Sequence, residues 1–193
     1  MEGTRSFEGV LPQSVRARYD FFETRNATRI LQATNPVEFD DLIDVLERFR
    51  VDEIRDIRMP GGNESDTAWR INSAFRAHGW REGQYAVGIT SVLTLKEPGL
   101  PDTVAKTENA SSTYLIDNLK GRVAIDTEWH AKDGNLDRDL AAYRSLYDAG
   151  IIDVAVIVTM HRQKMGSSGM DVGDSATMTR EFSLQGIGFG VGG

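Results

Sequence analysis

Three acids stand close together in the middle of the chain: Asp117, Asp126 and Glu128. Asp126 and Glu128 are two apart within Arg122–Trp129, a stretch rich enough in β-formers to predict a strand. On a strand, alternate side chains share a face, so these two carboxylates point the same way with Cα atoms about 6.7 Å apart. Val123, Ile125 and Thr127 point to the other face. Asp117 lies nine positions before Asp126. Tyr114–Asp117 and Arg122–Trp129 flank Asn118-Leu119-Lys120-Gly121, read as a hairpin turn in which Gly121 supplies positive φ. Such a hairpin folds Asp117 back beside Asp126, and three carboxylates converge at a strand end.

Like charges beside an apolar sheet repel and raise one another's pKa, and a divalent cation removes that penalty. Magnesium suits the donor set, because it prefers oxygen ligands, keeps several waters and binds substrate phosphates. The chemistry this predicts is hydrolysis of a phosphodiester. Asp117 and Asp126 hold one or two Mg2+ ions, with the carbonyl of Thr127 as an extra ligand. Glu128 orients or deprotonates the attacking water, or holds a second metal. The bland alternative is the solvated face of an edge strand. Position favours the site, since the elements that follow predict a central strand, where unpaired carboxylates are costly.

Those elements read as follows. Asn135–Ala149 places Leu136, Leu140, Tyr143 and Tyr147 on one helical face, closed by Gly150. Ile151–Thr159 is almost wholly apolar, as a strand covered on both faces should be. Strand, helix and buried strand predict a crossover with parallel pairing. Upstream, Asn35 is read as the N-cap of an amphipathic helix over Pro36–Phe49, carrying Phe39, Leu42, Ile43, Leu46 and Phe49. Ser65 caps a second helix, Asp66–His78, which Gly79 ends. Tyr85–Leu95 predicts a strand. Thr4–Phe22 is a lead-in of low definition, and Thr103–Ser112 shows no clear period. The fold expected is α/β: a single domain over 1–193 with a central mixed sheet flanked by helices, and a catalytic core at about 63–160.

Bulk composition is consistent with this. The chain has 193 residues, 40% hydrophobic and 26% charged, which is ordinary globular composition. Having no cysteine, it has neither disulfides nor thiolate metal sites, and a reducing cytoplasm is the expected compartment. Met1–Val10 is polar and no signal peptide, and no apolar run approaches a membrane span. The net charge of −7 argues against a uniformly basic nucleic-acid binder, though an enzyme holding cations must carry excess acid. Asp133–Arg144 fails as a calcium loop, with Arg138 and Arg144 at the positions that need Gly and Glu. Asp137, Arg138 and Asp139 are read instead as the polar side of a helix start. The three histidines lack zinc spacing, the Gly-rich C-terminus has no following helix, and Ser167-Ser168-Gly169 is no nucleophile elbow. Trp69, Trp80 and Trp129 are read as core or subunit contacts.

Ile116-Asp117-Asn-Leu-Lys-Gly-Arg-Val-Ala-Ile-Asp126-Thr-Glu128 resembles the active-site hairpin of the BglII and BstYI restriction endonucleases, relatives of BamHI within the PD-(D/E)xK nuclease superfamily. Ile152-Asp153-Val154 and Ser73–Trp80, a helix ending in Gly-Trp, extend the likeness over roughly 63–160. Asp126 stands where BglII-type enzymes carry Glu, and Glu128 where the superfamily usually has Lys, the BglII branch Gln and BamHI Glu. The proton acceptor is therefore open, and His130 and Lys132 are further candidates on the same strand.

The resemblance implies a restriction-endonuclease-like fold and a cytoplasmic prokaryotic homodimer. Gripping a short palindrome in double-stranded DNA, each subunit cuts one strand. Candidate DNA contacts are Arg162, Gln163, Lys164, Ser167, Ser168 and Arg180, and the loop Gly61–Ser65 before a helix N-terminus, where Glu64 could also lean towards the metal. Two rival readings remain: a structure-specific or nicking repair nuclease of the same fold, and a non-catalytic acidic module that dimerises or mimics DNA.

Overall fold

The computed structural model describes residues 3–50, 66–129, 135–159 and 183–188. Two short helices, α1 (Phe7–Val10) and α2 (Gln13–Arg16), lead into strand β1 (Asp20–Thr24). Helices α3 (Ala27–Thr34), α4 (Pro36–Arg48) and α5 (Asp66–Ala77) follow, then β2 (Arg81–Leu95), β3 (Thr103–Lys120) and β4 (Val123–Glu128). Helix α6 (Asn135–Asp148) and strands β5 (Val154–Thr159) and β6 (Ser183–Gly188) complete the order. The loop Gly61–Ser65, including the Ser65 cap and Glu64, lies outside the described residues, as do His130, Lys132 and the candidate DNA contacts Arg162–Arg180.

One six-stranded sheet runs in the order β1-β6-β5-β4-β3-β2. β4 pairs parallel with β5 and antiparallel with β3, β5 pairs antiparallel with β6, and β6 parallel with β1. The sheet is therefore mixed, helices flank it, and β4 is interior, as expected of an α/β restriction-endonuclease-like fold. By backbone contacts the chain forms two compact units: 1–83 with 116–193, and 84–115. The second unit is the distal part of the β2 and β3 strands, with Ile89, Val92, Leu93 and Val104 exposed. In the first unit, Val123 and Ile125 of β4 join Val154, Val156 and Val158 of β5 in one apolar cluster, with Leu42 and Leu46 of α4 and Ile71 and Phe75 of α5. Trp80 and Trp129 belong to it as well, whereas Trp69 is exposed. β5 is buried along its whole length, as an apolar strand covered on both faces must be.

Several local expectations are corrected. The hairpin turn is Gly121-Arg122 alone, because Lys120 pairs with Val123 and Asn118 with Ile125. Gly121 does take positive φ (53°), and a Cβ there would meet Glu38 Oε1 at 2.6 Å. Asn35 makes no side-chain cap. Its amide instead donates to Asp153 Oδ2 at 3.2 Å, tying α4 to the approach of β5. Thr103–Ser112, without a visible period, is strand; residues 103–109 are all exposed, so no alternation of buried and exposed side chains is imposed on them. β6 is strand despite Gly186 and Gly188, and it lies between two partners that satisfy its ladder.

Candidate active site

At the end of the β3–β4 ladder two acids lock the strands together. Continuing the Asn118–Ile125 register by one step sets Asp117 opposite Asp126. The Asp117 N–H donates to Asp126 Oδ1 at 2.5 Å, and the Thr127 N–H donates to Asp117 Oδ2 at 3.0 Å. Each carboxylate thus takes the place of a carbonyl in a ladder that is ending.

The two faces of β4 have different tasks. On the core face, Thr127 Oγ1 donates to Asn72 Oδ1 of α5 at 2.9 Å, and the same oxygen accepts from Asn118 Nδ2 of β3 at 2.8 Å. Asn72 and Asn118 are 2% and 0% exposed, so this amide pair fixes β3, β4 and α5 to one another from inside the protein. On the other face, α6 covers the acids. Tyr143 donates its hydroxyl to Asp126 Oδ2. One turn earlier, at the i−4 position, Asp139 meets Glu128, whose hydrogen bonding eases its ionisation. A helical rise of about 6 Å over four residues matches the step of about 6.7 Å between Asp126 and Glu128.

The structure therefore brings Asp117, Asp126, Thr127 and Glu128 together, with Asp126 and Glu128 on one face and Thr127 on the other. It adds Asp139, Tyr143, Asn72 and Asn118, which the sequence reading did not place there. Asp139 is buried in the acid cluster, which corrects its assignment to a polar helix start. The buried face of α6 is Asp139, Ala142, Tyr143 and Leu146; Leu136, Leu140 and Tyr147 are only partly buried. The sequence signal was available: an acid four before a tyrosine, one turn apart on the same face. Asn72 could have been found as a polar residue at i+4 from Ala68 and i−3 from Phe75, both buried.

Electrostatics follow from burial. Asp126 is 5% exposed, and desolvation pushes its carboxyl up to about 7, helped by the charges of Asp117 and Asp139. The Tyr143 hydroxyl and the Asp117 N–H oppose that rise without cancelling it. Burial also raises Asp139, and it keeps the Tyr143 hydroxyl protonated. Arg138, an exposed side chain, lies 3.4 Å from Asp139 Oδ1. Among the described residues, no three His, Asp or Glu side chains already stand as a ligand set for a metal ion.

Acids gathered at the end of an interior strand, backed by an amide pair and a tyrosine, stand on a mixed sheet of the restriction-endonuclease-like kind. The chain matches the family described as restriction endonuclease BglII/BglIII over residues 19–185, and it belongs to that family. It is accordingly a restriction endonuclease, a hydrolase that acts on DNA. No curated protein matches it. No described helix is long and apolar enough to cross a membrane.

Proposed function

We propose that the chain is a magnesium-dependent type II endonuclease that cuts double-stranded DNA at a short palindrome, working as a homodimer with one active site per strand. The observation that carries this reading is the pair Asp117 and Asp126, interlocked at the end of the β3–β4 ladder and joined by Glu128. Among the described residues, Asp117 and Asp126 are held by a tyrosine hydroxyl and two backbone N–H groups.

The donor set suits a hard cation. Asp126 and Glu128 of β4 and Asp139 and Tyr143 of α6 all offer oxygen, and the buried Asp139 Oδ2 has no hydrogen-bond donor among the described residues. Asp117 and Asp126 would hold magnesium, with the Thr127 carbonyl beside them. When bound, such a cation supplies positive charge against the phosphate and makes water more acidic. The protein's own groups do the rest. Tyr143 and the Asp117 N–H orient the Asp126 carboxylate, and Thr127 N–H orients that of Asp117. Glu128 takes the proton of the attacking water as its oxygen bonds to phosphorus and the opposite P–O bond breaks. Site-specificity and two-fold assembly rest on membership of the family, since paired half-sites double each base contact.

Digestion of a sequenced plasmid with magnesium tests the reading. Discrete fragments with mapped, identical ends are expected from the wild type, and none from Asp126→Ala. Varied DNA left uncut by the wild type would overturn it, and cleavage confined to junctions or lesions would indicate a repair nuclease.

A further inference from the structure

The β2 edge of the sheet is a surface the acid cluster does not use. β2 closes the strand order, so among the described residues it has no strand partner beyond β3. From Gln84 to Leu95 it runs without a charge or a proline. Proteins ordinarily guard an open edge with lysine, proline, a bulge or a very short strand, and β2 is 15 residues long. Alternation puts Tyr85, Val87, Ile89, Ser91, Leu93 and Leu95 on one face. Tyr85 stacks on Tyr114 of β3 with ring centroids 6.3 Å apart, and beyond that pair Ile89, Leu93 and Leu95 are 53%, 59% and 59% exposed. Residues 84–115 form a compact unit of their own, and two strands by themselves are marginally stable in water.

We propose that this edge pairs with the same edge of a second copy of the chain, β2 to β2 and antiparallel, about a two-fold axis at Thr90. The inference rests on the homodimer of the proposed function and names the surface through which the copies meet. An axis normal to the sheet at Thr90 sets Tyr85 opposite Leu95, Val87 opposite Leu93, Ile89 opposite Ser91 and Thr90 opposite its own copy. Large apolar side chains then face each other, and no like charges meet because the run carries none. Gly88 falls opposite Val92. Nothing in the chain lies within 4 Å of a Cβ built at Gly88, and a glycine inside a strand often marks the close approach of another backbone. Charge decides between a second copy and DNA. Residues 84–115 hold no arginine, and their two lysines are outnumbered by Glu97, Asp102 and Glu108. Both lysines meet acids of the same ribbon, Lys106 with Glu108 at 2.6 Å and Lys96 with Asp102 at 3.9 Å. Phosphate contacts need cations that are not already neutralised, whereas self-pairing needs a neutral edge.

Sedimentation equilibrium on the full chain, without DNA, compares the wild type with Ile89→Lys/Ser91→Lys and Ile89→Glu/Ser91→Glu. Both positions are exposed in the single copy, and each double variant sets like charges against one another across the axis. The wild type is expected to be a dimer. Either variant alone should dissociate, with a dissociation constant raised about a hundredfold or more. An equimolar mixture of the two should regain dimers, because each introduced lysine meets an introduced glutamate, and a folding defect is not cured by mixing. A mixture that stays monomeric overturns the inference. A lysine variant as dimeric as the wild type overturns it and leaves the homodimer standing, with its interface elsewhere. A monomeric wild type overturns both, while plasmid digestion still judges the nuclease. If both variants stay dimeric, and lysine tightens DNA binding while glutamate weakens it, the ribbon is a DNA-binding arm and the inference falls. Thr90→Lys against Thr90→Glu gives the same comparison with single substitutions should a double variant misfold.

Discussion

Two clusters of acids in this molecule have opposite electrostatic settings. Where α4 meets the start of β2, Asp41 accepts from Lys120 Nζ at 2.6 Å and from Trp80 Nε1 at 2.9 Å. His78 bridges Asp41 and Asp44 at 3.3 and 2.9 Å, and Arg48 covers Asp44 at 2.8 Å. Every acid there has a cationic or N–H partner supplied by the protein, and the result is a clamp. In the cluster on β4, Asp117, Asp126, Glu128 and Asp139 meet one another, and their described partners are a tyrosine, two backbone amides and one exposed arginine. Among the described residues, the same residue types that meet cations in one place meet one another in the other. The second arrangement is the one that signals function, because like charges held together with raised pKa values are a mark of functional sites.

The comparison can be broken most severely at Asp126. Asp126→Asn should reduce DNA cleavage about a thousandfold, the equivalent of the several kcal/mol a metal ion contributes to a charged transition state, measured on a single-site plasmid. It should nevertheless leave the metal-free protein as stable or more so. Acidity sharpens the contrast next. Asp126 binds its proton more tightly folded than unfolded, with its carboxyl raised from 3.8 to about 7. The stability linked to it is complete below about pH 4 and is lost as pH rises through about 7, by about 4 kcal/mol at most. Urea denaturation of the metal-free protein at pH 5 and pH 8 measures this, and Asp126→Asn should remove the slope.

The clamp should behave otherwise. Lys120→Met leaves Asp41 poorly exposed without its ammonium, and it should cost about 2–3 kcal/mol in urea denaturation while magnesium-dependent cleavage survives below the melting transition. The smallest effect is expected of Tyr143→Phe. It removes one donor from Asp126 and should cost about 1–2 kcal/mol, seen as roughly tenfold slower cleavage at saturating DNA.

The acids on the hairpin were legible because a strand writes its faces into local sequence. Asp126 and Glu128 alternate with Ile125 and Thr127, and a two-residue turn at Gly121-Arg122 fixes what lies opposite. Asp139 was hidden by the habit of reading a helix from its leucines. Leu136 and Leu140 set a stripe one position away from the buried one, and an acid in the first turns of a helix has an ordinary explanation at hand. Asn72 was hidden because its partners, Thr127 and Asn118, are distant in sequence. The place of β6 between β1 and β5 was illegible for a related reason: its glycines give no pattern, and its strand character comes from ladders formed with residues far along the chain.

The central claim, that the β4 acids are a cation site and the α4 acids are not, is tested most directly by melting the protein at pH 8, first in chelator and then in millimolar magnesium. A cation that binds only the folded state must raise the transition. The wild type and Lys120→Met should both gain several degrees, and Asp126→Asn should gain none. A wild-type transition that magnesium leaves in place, or an equal gain in Asp126→Asn, would contradict the account.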